Sequence, residues 1–218
     1  GYVEPLTPPM RDVRICDGDS TGFRKYLMSM QYMVHDFAHM CRKLRPETKT
    51  VFIDMGAALD FHGALDSPAV YITKMYQKFG FVFDHIYAFE MKPKQPTEVY
   101  KRLPPAMMSA YHWINVGVDA DPNGRMNPLV SILGNFNEDD FVVIKLDIDT
   151  AFIELPLAYQ ILHDPSISRK IDQFYFEHHV HIEELAKNWK TTMNGTIADS
   201  MRLFSMLRQQ GVAAHFWP

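Results

Sequence analysis

The chain has 218 residues, 47% hydrophobic and 22% charged, enough to bury the core of one α/β domain. A formal charge of -4 and a pI near 6.2, with lysines and arginines scattered rather than clustered, argue against nucleic acid as the main partner. No apolar run reaches the roughly 18 residues of a membrane span, and "GYVEPLTPPM" has neither a basic nor an apolar leader region, so a soluble chain is expected.

Residues 1–22 are rich in Pro, Asp and Gly and predict an irregular arm over the surface. Over 23–44, Phe23, Leu27, Met30, Met33, Val34, Phe37, Met40, Cys41 and Leu44 recur at three- and four-residue steps, which predicts an amphipathic helix. Apolar strands then alternate with helices. "TVFIDMG" (50–56), "HIYAFEM" (85–91), "WINVGVDA" (113–120), "FVVIKLDID" (141–149), "QFYFEHHV" (173–180) and "VAAHFW" (212–217) read as strands. Residues 68–80, 153–162 and 196–211 read as helices, the second despite Pro156, the last with Thr196 as N-cap and Gly211 just past its end. The Pro-rich piece 91–105 reads as a loop with a helical turn or two. Continuous apolar strands separated by helices indicate a mainly parallel sheet covered on both faces. The expected architecture is a three-layer, doubly wound, Rossmann-like α/β unit over 50–218, preceded by an arm and an extra helix over 1–49.

Cys16 and Cys41 are too few for a disulfide framework and fit no zinc spacing, so they leave the compartment open. The sequon Asn194-Gly195-Thr196 matters only in the secretory pathway; an organellar or secretory lumen fits a chain that is a mature fragment.

Open parallel sheets bind ligands at the carboxyl ends of their strands, and the unusual polar residues fall there. They are Asp54 and Gly56 after the first strand, Glu90 after the second, and Asp119 and Asp121 after the third. Asp147 and Asp149 follow the fourth, and Glu177, His178, His179 and His181 the fifth. Asp54, Gly56 and Glu90 suit a nucleoside, the glycine admitting the ligand and the second acid accepting ribose hydroxyls. Asp147 and Asp149 share one face of an extended strand and could approach one divalent cation, Mg or Mn, as in metal-dependent glycosyltransferases; equally, they could cap the helix that follows. Glu177, His179 and His181 share a face and His178 takes the other, so Asp147, Asp149, Glu177 and His179 form a candidate metal set. The alternative is that Glu177 merely fixes one imidazole by a hydrogen bond. His178 or His179 could serve as general base under either reading.

"VFIDMGAALDFHG", "HIYAFEMKP", "VVIKLDIDTAFIE" and "FYFEHHVH" stand in an order and spacing that resemble the FkbM-type S-adenosylmethionine-dependent methyltransferases. The closing segment is similar to a branch of related proteins from unicellular algae. The resemblance covers about 50–218 and implies the class I methyltransferase fold. By position it implies that Asp54, Gly56 and Ala58 line the methionine part of the cofactor, Glu90 the ribose and Asp119 the adenine, with Lys145, Asp147 and Asp149 beside the acceptor and Glu177 and His178 opposite. Asp60 stands where such enzymes have a second glycine, and Asp149-Thr150 replaces their Glu-Gly.

Three functions follow as expectations. The first is O-methyl transfer from S-adenosylmethionine to a sugar or small-metabolite hydroxyl, with His178, His179, Asp147 and Lys145 as catalytic candidates. The second is a cofactor-free structural subunit with protein partners, prompted by the altered first turn. The third is a metal-dependent glycosyltransferase using Asp147 and Asp149.

Overall fold

A computed structural model describes residues 2–6, 30, 33–59, 66–182, 189 and 192–217. Among them, six strands form one all-parallel sheet: β1 (Thr50–Met55), β2 (His85–Phe89), β3 (Tyr111–Ile114), β4 (Phe141–Leu146), β5 (Gln173–Phe176) and β6 (Ala213–Phe216). Their order is β3-β2-β1-β4-β5-β6, the Rossmann-like arrangement, with chain direction across the sheet reversing between β1 and β4. Every residue of β1 and β4 is buried, as the center of a sheet covered on both faces requires.

Among the described residues the α-helices are α1 (Phe37–Lys43), α2 (Pro68–Gln77), α3 (Pro96–Lys101), α4 (Pro128–Ser131), α5 (Ala151–His163), α6 (Pro165–Ser168) and α7 (Ile197–Gln209). One face of the sheet, through Val51, Ile53, Ile144 and Phe174, packs on Leu129 of α4, Leu157 and Ile161 of α5, and Leu203 and Phe204 of α7. The other, through Phe52, Val143 and Tyr175, packs on Met40 of α1, Ile72 and Tyr76 of α2, and Val99 of α3. Each large side chain so enclosed contributes about 1.5–3 kcal/mol. Ser67 caps α2 ahead of Pro68, and Thr196 and Asp199 form a reciprocal capping box on α7, which explains where both helices begin.

The first helix and the third strand differ from expectation. Of the helix expected over 23–44, only Phe37–Lys43 is helical among the described residues, with Asp36 as N-cap. Before it, Met33–Asp36 is non-helical, because its polar groups serve distant partners: the Val34 amide donates to Glu4 (3.2 Å), and His35 Nε2 lies 2.7 Å from the Tyr175 hydroxyl. Residues 7–29 lie outside the described set. The third strand is Tyr111–Ile114 rather than 113–120; beyond it Asn115 turns the chain, its amide donating to the carbonyls of Glu90 (2.6 Å) and Lys92 (3.0 Å).

Of the arm expected over the surface only residues 2–6 are described, and there Tyr2 is exposed while Glu4 alone is buried. Glu4 accepts from Arg208 Nη2 (3.0 Å), while its carboxylate oxygens lie 2.9 and 3.0 Å from His215 Nδ1. His215 Nε2 sits 2.7 Å from Gln173 Oε1. Beside it, the Tyr175 hydroxyl meets His35 and, at 3.0 Å, the Tyr76 hydroxyl, and the His35 and His215 rings stack at 5.0 Å. Burial, and then the neighboring His215, lower the pKa of His35 to about 3 and keep it neutral.

Candidate functional site

Strand register assembles the site. Asp54 pairs with Lys145, and Lys145 with Tyr175, so the acid of β1 and the lysine of β4 stand side by side on the α2 face. Lys145 is fully buried. Its Nζ donates to the Gly56 carbonyl (3.0 Å) and lies 3.2 Å from both Asp54 Oδ1 and Asp147 Oδ2, with the Trp217 ring 5.6 Å away. Burial alone would lower the lysine's pKa, but Asp147 and Asp54 outweigh it and raise it, so the amine stays cationic. Lys145 is therefore a fixed charge rather than a base.

Asp147 accepts from Trp217 Nε1 (3.1 Å) as well, and Lys145 holds its carboxyl below the usual range against the opposing effect of burial. Glu177 carries the opposite shift. Burial first, then the adjoining Asp147, push its pKa well up. Asp54 is also raised by burial, which Lys145 partly offsets, and neither of its oxygens receives a hydrogen bond of good geometry.

Gly56 shapes the turn that leaves β1. It has φ +90°, and a Cβ there would lie 1.6 Å from the Asp147 carbonyl oxygen, so the turn approaches the end of β4 as only glycine allows. The Gly56 and Ala57 amides both donate to the Phe89 carbonyl (3.0 and 2.8 Å), which seats the turn against the end of β2. There Glu90 follows directly, its Oε1 accepting from the Lys92 amide (2.7 Å). Ala58 is exposed on the turn. Residues 60–65, including Asp60 and Gly63, lie outside the described set.

Beyond β5 the chain does not continue as a strand. The Val180 amide donates to the His178 carbonyl (2.9 Å), a tight turn that separates the histidines. His178 stacks on Phe176 at 5.3 Å, on the side of the α7 layer, and burial lowers its pKa to about 4. His179 lies on the other side with Glu177, their Nε2 and Oε2 3.0 Å apart. His181 is exposed and leaves the group, correcting the expectation that it shares their face. Asp149, at φ +55° and with a side chain 76% exposed, brings Oδ1 to 3.8 Å from His179 Nε2. Asp147 is not part of this trio.

Asp119 stands five residues beyond β3, in a loop rather than at a strand end. Its Oδ1 accepts from the Asp121 amide (3.0 Å) and so holds its own turn.

Sequence reasoning missed Glu154, Trp189, Thr192 and Trp217. Glu154 is buried in the first turn of α5 and accepts from the Ile148 amide (2.8 Å); burial raises its pKa to about 7. It stands four residues after Thr150, one too many for a capping box, so no local pattern marked it. His179 stacks on Trp189 at 4.5 Å, and its Nδ1 lies 2.7 Å from Thr192 Oγ1. A polar groove of about 280 Å³ lined by Lys43, Glu47, Asn137 and Asp139 lies at the opposite, amino edge of the sheet.

Fold and edge together define a Rossmann-like α/β protein with a buried charged cluster at its switch point. No family model matches the chain, and neither does a curated protein or a solved structure.

Proposed function

We propose that the chain is an S-adenosylmethionine-dependent methyltransferase acting on a hydroxyl group of a sugar or small metabolite. The observation that carries this reading is the adjacency of the Gly56 turn and Glu90 at the ends of neighboring strands, beside the switch point. Gly56 lets the turn close onto the ends of β2 and β4, its own amide and carbonyl being engaged there. Glu90 uses Oε1 within its own turn, and its Oε2 suits a ribose hydroxyl. The order of motifs that resembles FkbM-type enzymes is in keeping with it.

When bound, the cofactor supplies an electrophilic methyl group. The chain's own residues would do the rest. Lys145 ties the turn after β1 to Asp147, fixing the two strand ends together. Asp149, Glu177 and His179, on the far side of Asp147, mark where an acceptor hydroxyl would give up its proton. His178, on the other side of the strand end, is less suited to that role than His179.

Calorimetric titration of S-adenosylmethionine into the chelator-treated protein tests the reading. Binding is expected at micromolar concentration and should weaken about tenfold or more in Glu90→Ala, the loss of a charge-assisted hydrogen bond. Absence of binding by the folded wild-type chain would remove the proposal.

A further inference from the structure

We propose that Asp149, Glu177 and His179 form a binding site for a divalent transition-metal cation, with one nitrogen and two oxygen donors. Their donor atoms all lie within 4.8 Å of one another. His179 carries the argument. The single proton of the Thr192 hydroxyl goes to the Trp189 carbonyl (2.6 Å), so Thr192 Oγ1 must accept from His179 Nδ1–H. In the neutral imidazole that leaves a lone pair on Nε2, which lies 3.0 Å from Glu177 Oε2 and 3.8 Å from Asp149 Oδ1.

His179 has a side chain only 1% exposed, and Nε2 makes no hydrogen bond of acceptable geometry. A buried, unpartnered nitrogen beside two acids calls for something positive among them. Lys145 supplies that to Asp54 and Asp147, whereas among the described residues no lysine or arginine pairs with Asp149 or Glu177.

The surroundings suit a metal ligand. An imidazole with its second nitrogen hydrogen-bonded and its ring stacked on Trp189 is oriented as coordination requires. A cation about 2.1 Å from each donor places the donors about 3–3.5 Å apart. His179 and Glu177 meet that at 3.0 Å, and Asp149, at 3.8 Å, closes by rotating an exposed side chain. The imidazole favors a transition metal over magnesium or calcium, and a three-donor site open on the Asp149 side leaves coordination positions for water or substrate. An acceptor oxygen bound there would lose its proton more readily, a consequence that rests on the methyl-transfer reading; the site itself does not.

The test is Mn²⁺ binding by the full chain after chelator treatment, followed by the electron paramagnetic resonance signal of free Mn²⁺ and repeated calorimetrically with Zn²⁺, without S-adenosylmethionine. One ion per chain is expected. Affinity should fall about tenfold or more in Asp149→Asn and His179→Gln and stay unchanged in His181→Ala. Asparagine tolerates the left-handed backbone at Asp149, so that variant keeps the fold and decides the matter even if His179→Gln does not. No binding of either ion by the folded wild-type chain, or binding that Asp149→Asn leaves intact, overturns the proposal. Because cofactor is absent, this outcome and that of the S-adenosylmethionine titration are independent.

Discussion

Two buried polar networks share one face of the sheet, a strand or two apart, and they are built differently. In the network of Glu4, His35, Tyr76, Gln173, Tyr175 and His215, no described side-chain atom is left buried without a hydrogen bond. The cluster of Asp54, Lys145, Asp147, Glu177 and His179 has three acids and one lysine, which reaches only Asp54 and Asp147, and leaves both Asp54 oxygens and His179 Nε2 without a well-formed hydrogen bond. Buried polar groups in folded proteins are nearly always paired. The first network therefore reads as architecture, fastening the amino-terminal segment to β5 and β6. The second sits at the switch point and has capacity for a ligand.

The sharpest way to break this contrast is Lys145→Met. It would strand Asp54 and Asp147 without a cation, and the expected loss is about 3–5 kcal/mol in chemical denaturation. Adding Asp54→Asn should recover part of it. A loss below about 1 kcal/mol would mean that water already solvates these acids.

Next comes the pH dependence of Glu154. Its pKa rises from 4.5 to about 7, chiefly through burial, so the fold holds this proton more tightly than the unfolded chain does. The resulting stabilization is complete below pH 4.5 and is lost as the pH rises through 7. Glu154→Gln should remove a decline on the order of 3 kcal/mol over that window. Urea denaturation at about pH 5 and about pH 8 checks it; parallel declines in wild type and variant would dismiss the assignment.

The smallest effect sharpens the comparison from the other side. Tyr76→Phe removes one partner of the Tyr175 hydroxyl, which keeps His35, so the expected loss is about 1 kcal/mol. A loss above about 3 kcal/mol would show the two networks to be equally intolerant of a missing group.

The sheet was readable because buried parallel strands are written as continuous apolar runs, and β1, β2, β4, β5 and β6 all carry one. The third strand was misplaced because its apolar pattern runs on past Asn115, whose side-chain hydrogen bonds end the strand. The helical period over 23–44 gave way at Met33–Asp36, where Glu4 and Tyr175, distant in sequence, claim the polar groups. Strand ends likewise marked Asp54, Asp147, Glu177 and His179, whereas Lys145 entered only through the family resemblance. Which of them pair depends on register and on the turn at His178–Val180, neither of which a local pattern encodes. Trp217 joins Asp147 across 70 positions, and only the folded sheet reveals that contact.

The turn after β1 has one more consequence. Its first two amides are bonded to β2, and the Gly56 carbonyl is bonded to Lys145 on β4. Deuterium from solvent reaches such amides only when the sheet itself opens, not when a loop frays. On the timescale of hydrogen exchange, Gly56 and Ala57 belong with the strands they connect.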